Sequence, residues 1–168
     1  PLISVNPSNY EVIGEAVATT SSELDKMLES SRRAQVVWAE LSLDDRIEQI
    51  SQFYEALSSS ADELAKCFSE EMGMPIANAT DEVTSSIEGF ETVSQLAKQA
   101  LEPTVVYETS SEKHTCYREP LGVVAAIGPW NFPFALFANL VNQVLLAGNS
   151  LIYKPSEETI LFAEMLRK

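Results

Sequence analysis

Residues 120–133 read PLGVVAAIGPWNFP, and residues 147–157 read AGNSLIYKPSE. The apolar run at 123–127 is continuous rather than alternating, which predicts a strand buried on both faces, as in a parallel sheet. Residues 150–153 form a second short apolar run that ends at turn-forming residues and predict a second strand. These two stretches therefore predict the beginning of an open α/β sheet.

The segments next to these strands complete a strand–helix–strand–helix unit. Residues 134–146 have helical spacing and end at Gly148, and residues 160–167 begin another helix. A right-handed crossover makes the two strands parallel and brings the loops after them to one edge, where open α/β sheets bind ligands. The usual Gly-x-Gly-x-x-Gly dinucleotide fingerprint is absent, which argues against a standard Rossmann site.

Upstream of this unit the sequence is mostly helical. Residues 1–19 are extended and turn-like, and four helical patterns follow. Thr20 with Glu23, and Ser60 with Glu63, form capping-box signatures at the starts of the first and third helices.

Glycine and proline mark the other boundaries of these helices. The second helix begins near Ser42, and Gly73 ends the third as a left-handed C-cap. Pro75 predicts the first residue of a fourth helix, which ends before Pro103. After Pro103 the spacing of apolar residues is no longer helical, and residues 103–119 predict a β-hairpin.

Composition limits the classes of function. The 168 residues carry a net charge of −14, which repels phosphate backbones and argues against a nucleic-acid partner. Prolines interrupt the longest apolar stretches, so we expect no membrane span. Cys67 and Cys116 are too few for a disulfide framework and favour a reducing, cytoplasmic location. His114 has no second ligand near it, so we expect no metal site.

The first loop after a strand contains Asn131, between Trp130 and the Phe132-Pro133 pair that opens a helix. A side-chain amide held by such a rigid backbone can donate to a developing oxyanion. Asn is also a frequent N-cap residue, and the position alone leaves both interpretations open.

The second loop contains Lys154 and Glu157, three residues apart after a strand. An ammonium group and a carboxylate at this spacing can hold the hydroxyls of a ribose. The alternative is a surface lysine and a glutamate at a helix start, which the spacing alone does not exclude.

Taken together, these motifs resemble the ordered signature of the aldehyde dehydrogenase superfamily. The matching segments are Pro120-Leu121-Gly122-Val123-Val124, Ile127-Gly128-Pro129-Trp130-Asn131-Phe132-Pro133, Ala147-Gly148-Asn149 and Lys154-Pro155-Ser156-Glu157. Upstream residues also resemble the family, among them Asn6-Pro7, Trp38, Arg46 and Glu71-Met72-Gly73. The resemblance covers the whole chain and identifies it with the N-terminal portion of the family.

The resemblance implies a role for each matching site residue. Asn131 matches the catalytic oxyanion-hole amide. The positions that match the cofactor-binding wall and clamp are Ile127, Gly128, Pro129, Trp130, Lys154, Ser156 and Glu157. The implied cofactor is NAD, with NADP as a second possibility, and no metal is implied.

The resemblance also implies an architecture and a reaction. Residues 1–102 correspond to an extended segment and helices of the cofactor-binding domain. Residues 103–119 correspond to a hairpin that pairs with a neighbouring subunit, and residues 120–168 begin a Rossmann-like domain that lacks the usual fingerprint. The implied reaction oxidises a small aldehyde, with semialdehydes as one possibility, to a carboxylic acid through a cysteine thiohemiacetal, in a homo-oligomer.

The chain departs from the family where the covalent chemistry would be. The family's nucleophilic cysteine and general-base glutamate lie downstream of these motifs, and Cys67 and Cys116 match neither position. We therefore expect this chain alone to be inactive. Two alternatives are an acyl-thioester or acyl-phosphate reductase of the same superfamily, and an inactive truncated interaction module.

Overall fold

A computed structural model describes residues 1–167 as a mixed α/β chain, which confirms the expected class. Its helices are α1 (Ser21–Glu40), α2 (Leu43–Ser58), α3 (Ala61–Met72), α4 (Ile76–Glu88), α5 (Phe90–Leu101), α6 (Pro133–Leu146) and α7 (Ile160–Leu166). Its strands are β1 (Leu2–Val5), β2 (Val12–Ala16), β3 (Thr104–Glu108), β4 (Lys113–Cys116), β5 (Val123–Ile127) and β6 (Ser150–Lys154). Within the described residues, the strands pair as β1 with β2, β3 with β4 and β5 with β6.

Helices α1 and α2 begin at reciprocal capping boxes. Thr20 and Glu23 exchange side-chain and backbone hydrogen bonds, as expected, and Ser42 and Asp45 do the same at α2. The box expected at Ser60 is wrong, because the side chain of Ser60 makes no capping hydrogen bond. Helix α2 ends just before α3 begins, which leaves Ser60 at φ −115° and ψ 12° instead of the extended backbone that an N-cap needs.

The fourth expected helix is two helices in the structure. Gly89 separates α4 from α5, and its N–H donates to the carbonyl of Ser85 at 2.9 Å. The helical spacing of apolar residues continues across Gly89, so the sequence pattern does not reveal the break. Glycine is a poor helix former, so a helix break costs less free energy at this position. Pro75 is also not the first helical residue, since its extended backbone precedes α4 and its carbonyl accepts the N–H of Ala79. Gly73 does end α3 in the left-handed conformation, at φ 77°.

The N-terminal residues form an antiparallel pair, β1 with β2, where the sequence indicated only extended and turn-like backbone. Most side chains of this pair are exposed or half-buried, so the buried alternation that marks a strand is weak. Ser4 is the buried exception. The pair contacts α7, which places it beside residues 155–159, the loop that connects β6 to α7.

Strands β5 and β6 are parallel, as expected, in a register that pairs Val123 with Ser150 and Ile127 with Lys154. The expectation that β5 is buried on both faces is wrong, because Ala125 and Ile127 are exposed. Strand β5 packs mainly against β6 and α1. One side of β5 is therefore open to solvent.

The expected hairpin within residues 103–119 is present as the antiparallel pair of β3 and β4. Every residue of β3 is exposed. Val105, Val106 and Tyr107 therefore present apolar side chains to solvent.

The hydrophobic core lies between the helices α2–α5 and the helices α6 and α7. Its largest fully buried side chains include Phe68, Phe134, Phe162 and Leu64. The rings of Phe134 and Phe162, at the starts of α6 and α7, lie 6.1 Å apart between centroids. Because these aromatic residues anchor α6 and α7, the N-termini of both helices lie against α3 and α4.

Candidate functional site

Two loops meet at the carboxyl edge of the parallel pair. Residues 128–132 follow β5, and residues 155–159 follow β6. The N–H of Gly128 donates to the carbonyl of Lys154 at 2.9 Å, which joins the loops at their first residues. Gly128 is buried, and a Cβ there would overlap the hydroxyl of Tyr153, so the close approach requires glycine.

The second loop brings Lys154 and Glu157 together. Lys154 Nζ lies 2.8 Å from Glu157 Oε2, and both side chains are more than half exposed. The hydrogen bond from Lys154 holds the pKa of Glu157 below its ordinary value. Glu157 does not start a helix, since α7 begins only at Ile160. The structure thus places a donor and an ionised acceptor side by side in solvent at the sheet edge.

Ser156 lies between these two residues but faces the protein. Its side chain is buried, and its hydroxyl accepts the N–H of Glu158 at 3.2 Å, while its carbonyl accepts the N–H of Thr159. Ser156 therefore orders the loop through its own hydrogen bonds.

The first loop presents an apolar surface and one amide. Ile127 is 77% exposed and Trp130 is 53% exposed, and Pro129 is also exposed. Asn131 is exposed, and the N-cap of α6 is Phe132, which makes no side-chain cap. The alternative that Asn131 caps α6 is therefore wrong, and its amide is available to a ligand.

The N-terminus of α6 is held by Glu82, a residue of α4. Glu82 Oε1 accepts the N–H groups of Phe134 and Ala135, both at 3.0 Å. Pro133, the first residue of α6, has no N–H, so Glu82 takes the first two amides that the helix offers. Glu82 is 8% exposed, and burial raises its pKa although the two amides oppose the shift.

Glu71, a residue of α3, performs the matching role at α7. Its carboxylate accepts hydrogen bonds from Leu161 N–H, Phe162 N–H and Ser4 Oγ, each at 2.8 Å. Glu71 is 3% exposed, and burial raises its pKa against these hydrogen bonds. The negative charge of each glutamate lies at the positive end of a helix dipole, which favours both contacts.

Sequence reasoning missed both roles. The available signal was position, because Glu71 follows Phe68 by three residues and Glu82 follows Ala79 by three, on faces that are otherwise buried. A carboxylate is rarely buried unless it has partners. Their spacing from these apolar residues could have indicated that both glutamates face inward, but not which amides they bind, because those amides lie more than fifty residues away.

Neither cysteine resembles an activated nucleophile. Burial, together with the nearby carboxylate of Glu71, raises the pKa of Cys67 to about 12. Cys116 lies on β4 and belongs to neither loop. Within residues 1–167, no group of three or more His, Cys, Asp or Glu side chains is arranged to hold a metal ion. None of the helices that the structure describes has the length and apolar character needed to cross a bilayer.

The model of the aldehyde dehydrogenase family matches residues 2–168. The chain belongs to the aldehyde dehydrogenase family. It is 35% identical to the N-succinylglutamate 5-semialdehyde dehydrogenase of Ectopseudomonas mendocina, over 100% of this chain and 34% of that protein. It is 34% identical to the 3,6-anhydro-alpha-L-galactose dehydrogenase of Streptomyces coelicolor, over 98% of this chain and 33% of that protein.

Solved structures of aldehyde dehydrogenases share the fold of this segment. The aldehyde dehydrogenase of Brucella melitensis biovar abortus matches with a TM-score of 0.91 at 28% identity, over 99% of this chain and 34% of that one. The glyceraldehyde-3-phosphate dehydrogenase of Methanocaldococcus jannaschii, complexed with NADP, matches with a TM-score of 0.89 at 26% identity, over 99% and 36%. The chain thus spans about a third of the length of the aldehyde dehydrogenases that it matches.

Proposed function

We propose that this chain forms the cofactor-side part of an NAD(P)-dependent aldehyde dehydrogenase, which oxidises an aldehyde to a carboxylic acid. The observation that carries the proposal is the junction of the two loops at one sheet edge, through the bond from Gly128 to Lys154. It places an exposed amide, an apolar surface and a donor–acceptor pair on the edge where open α/β sheets bind ligands.

Lys154 and Glu157 fit the ribose of a dinucleotide. A vicinal diol needs both a donor and an acceptor, and this pair presents an ammonium group and a carboxylate 2.8 Å apart. Both side chains are exposed, so they can turn toward a ligand without leaving a buried group unpaired. In this proposal they set the position of the cofactor and take no part in the covalent steps.

The choice between NAD and NADP depends on the same pair. The carboxylate of Glu157 would repel a 2′-phosphate, so we expect NAD to be preferred. Lys154 offsets part of that repulsion, so NADP is also accepted. The nicotinamide supplies the hydride acceptor when it is bound, and Ile127, Pro129 and Trp130 offer an apolar wall beside that end of the site.

Asn131 is the proposed catalytic residue of this chain. Attack on an aldehyde carbonyl puts negative charge on its oxygen, and an amide N–H fixed in advance stabilises that charge. Pro129 and Pro133 flank Asn131 and restrict the backbone on both sides. The raised pKa of Cys67 disfavours it as the nucleophile, so the thiol and the base come from the remainder of the full-length enzyme.

The exposed hairpin of β3 and β4 supports a homo-oligomer. Its apolar residues Val105, Val106 and Tyr107 are between 44% and 65% exposed, and within residues 1–167 their strand β3 pairs with β4 along one edge only. Such an edge accepts a strand from another chain. We expect the full-length enzyme to associate through this hairpin.

The test of the proposal is the reaction of the full-length protein that carries this segment. Purified protein should form reduced NAD from a semialdehyde, release the carboxylic acid, and need no coenzyme A. Reduction of an acyl-thioester or acyl phosphate, without oxidation of any aldehyde, would contradict the proposal and identify a reductase. Absence of both reactions and of cofactor binding would favour an interaction module.

A further inference from the structure

The loop that carries Asn131 contains no side-chain anchor of its own at α6. Its helix starts at Pro133, which has no N–H, and Phe132 provides no side-chain cap. The amides that would otherwise be free, Phe134 and Ala135, both donate to the single oxygen Oε1 of Glu82. The direction in which α6 leaves the loop is therefore fixed by a residue on α4.

The contact between Glu82 and the two amides of α6 is shielded from solvent. Glu82 is more than nine-tenths buried, so solvent does not compete for the two amides. Because the surroundings are of low polarity, each of these hydrogen bonds is stronger than it would be in water. Oε2 is also buried and has no hydrogen-bond partner within residues 1–167. Within these residues, the carboxylate therefore accepts hydrogen bonds through Oε1 only.

We propose that Glu82 is a positioning residue for the oxyanion donor: by holding the first amides of α6, it fixes the loop that presents Asn131. This inference rests on the proposed role of Asn131. Glu82 touches neither substrate nor cofactor in this scheme. It acts through Pro133 and Phe132, the two residues between the anchored amides and Asn131.

Three substitutions at Glu82 separate this role from general stability. Glu82→Met keeps the length of the side chain and removes the acceptor. Glu82→Gln keeps an amide oxygen for Phe134 and Ala135, and its NH₂ group takes the place of the oxygen that has no partner. Glu82→Asp keeps the charge but withdraws it by one methylene. Glu88→Met is the matched control, because Glu88 lies on the same helix and is exposed.

The experiment measures kcat, the KM of the cofactor and the melting temperature in the full-length enzyme. Displacement of a catalytic group by about 1 Å can cost roughly a hundredfold, so we expect Glu82→Met to lower kcat about ten- to a hundredfold. The KM of the cofactor should change less than kcat, because Lys154 and Glu157, which hold the ribose in this proposal, lie on the other loop. Glu82→Gln and Glu88→Met should keep kcat near that of the parent. If Glu82→Met does not fold, Glu82→Asp provides the same comparison.

A double substitution identifies the path of the effect. If Glu82 acts through Asn131, Glu82→Met should lower kcat no further in an enzyme that already carries Asn131→Ala. Independent, multiplying effects would overturn the inference, as would a folded Glu82→Met or Glu82→Asp enzyme with unchanged kcat. If Asn131→Ala itself has no effect on kcat, the proposed role of Asn131 fails, and the inference about Glu82 fails with it.

Discussion

The two loops at the sheet edge are built alike but held differently. Each follows a parallel strand and leads to a helix whose first amides bond to a buried glutamate, Glu82 for α6 and Glu71 for α7. The second loop also has local contacts, namely the Lys154–Glu157 pair and the turn bonds of Ser156. The first loop has no such local side-chain contact among the hydrogen bonds of residues 1–167 and depends on Glu82.

The glutamates differ in the same way. Both oxygens of Glu71 accept hydrogen bonds, whereas only Oε1 of Glu82 does. The second loop is thus held by its own side-chain contacts as well as by Glu71, whereas the first loop is held by the backbone bond from Gly128 and by Oε1 of Glu82. Both loops are therefore controlled in part from a distant helix, and the second loop is also ordered by local side-chain contacts.

The largest expected effect concerns Asn131 in the full-length enzyme. Asn131→Ala should lower kcat by roughly 10²–10³, the usual cost of one lost oxyanion donor, with little change in cofactor affinity. Asn131→Ser should not restore kcat, since its shorter side chain cannot reach the same place. Steady-state kinetics checks both variants, and near-normal turnover of the Ser variant would show that the amide is not catalytic.

The second prediction compares the glutamates by the same substitution. In Glu71→Gln, the NH₂ group must face at least one backbone N–H, of Leu161 or Phe162, because both oxygens were acceptors. One buried donor left without a partner costs about 1–3 kcal/mol, so the free energy of unfolding should fall by that amount. Glu82→Gln retains its two hydrogen bonds and should cost clearly less. Urea denaturation of both variants measures the difference. Equal losses of unfolding free energy would show that Oε2 of Glu82 does have a hydrogen-bond partner.

The third prediction concerns the second loop. Lys154→Ala removes a charged donor from the proposed ribose site and should weaken cofactor binding about tenfold or more, with a smaller effect on kcat. The melting temperature should hardly change, because exposed ion pairs contribute little to stability. Lys66→Ala is the control, since Lys66 also belongs to an exposed pair, with Glu70. Titration calorimetry measures the affinity, and unchanged binding by Lys154→Ala would remove the assignment.

The sequence predicted local features well and long-range ones poorly. The parallel pair, the hairpin and the capping box at Thr20 follow from neighbouring residues, and the structure confirms them. The break at Gly89 was missed because the apolar period continues through it. At the site, the juxtaposition of Lys154 and Glu157 follows from their spacing. The spacing of Glu71 and Glu82 can indicate only that they are buried, because their partners lie on helices far apart in the chain.

The smallest expected effect is a difference in the sign of pH dependence between the loops. Burial raises the pKa of Glu82 above its ordinary value of 4.5, so the folded state binds more protons than the unfolded state between those two values. The stability that this proton uptake contributes is fully present below pH 4.5 and is lost as the pH rises through the folded-state pKa. Subtracting the free energy of unfolding of Glu82→Gln from that of the parent isolates this contribution, which should shrink from pH 4.5 toward neutral pH.

Glu157 should show the opposite slope in the same measurement. Its hydrogen bond from Lys154 lowers its pKa below 4.5, so its contribution is present above that value and is lost as the pH falls through the folded-state pKa. The parent-minus-Glu157→Gln difference should therefore shrink toward acid, where the parent-minus-Glu82→Gln difference grows. Denaturant midpoints taken at several pH values give both curves. Parallel slopes would mean that the two carboxylates are in similar electrostatic surroundings, and the contrast between a buried anchor and an exposed binding pair would be wrong.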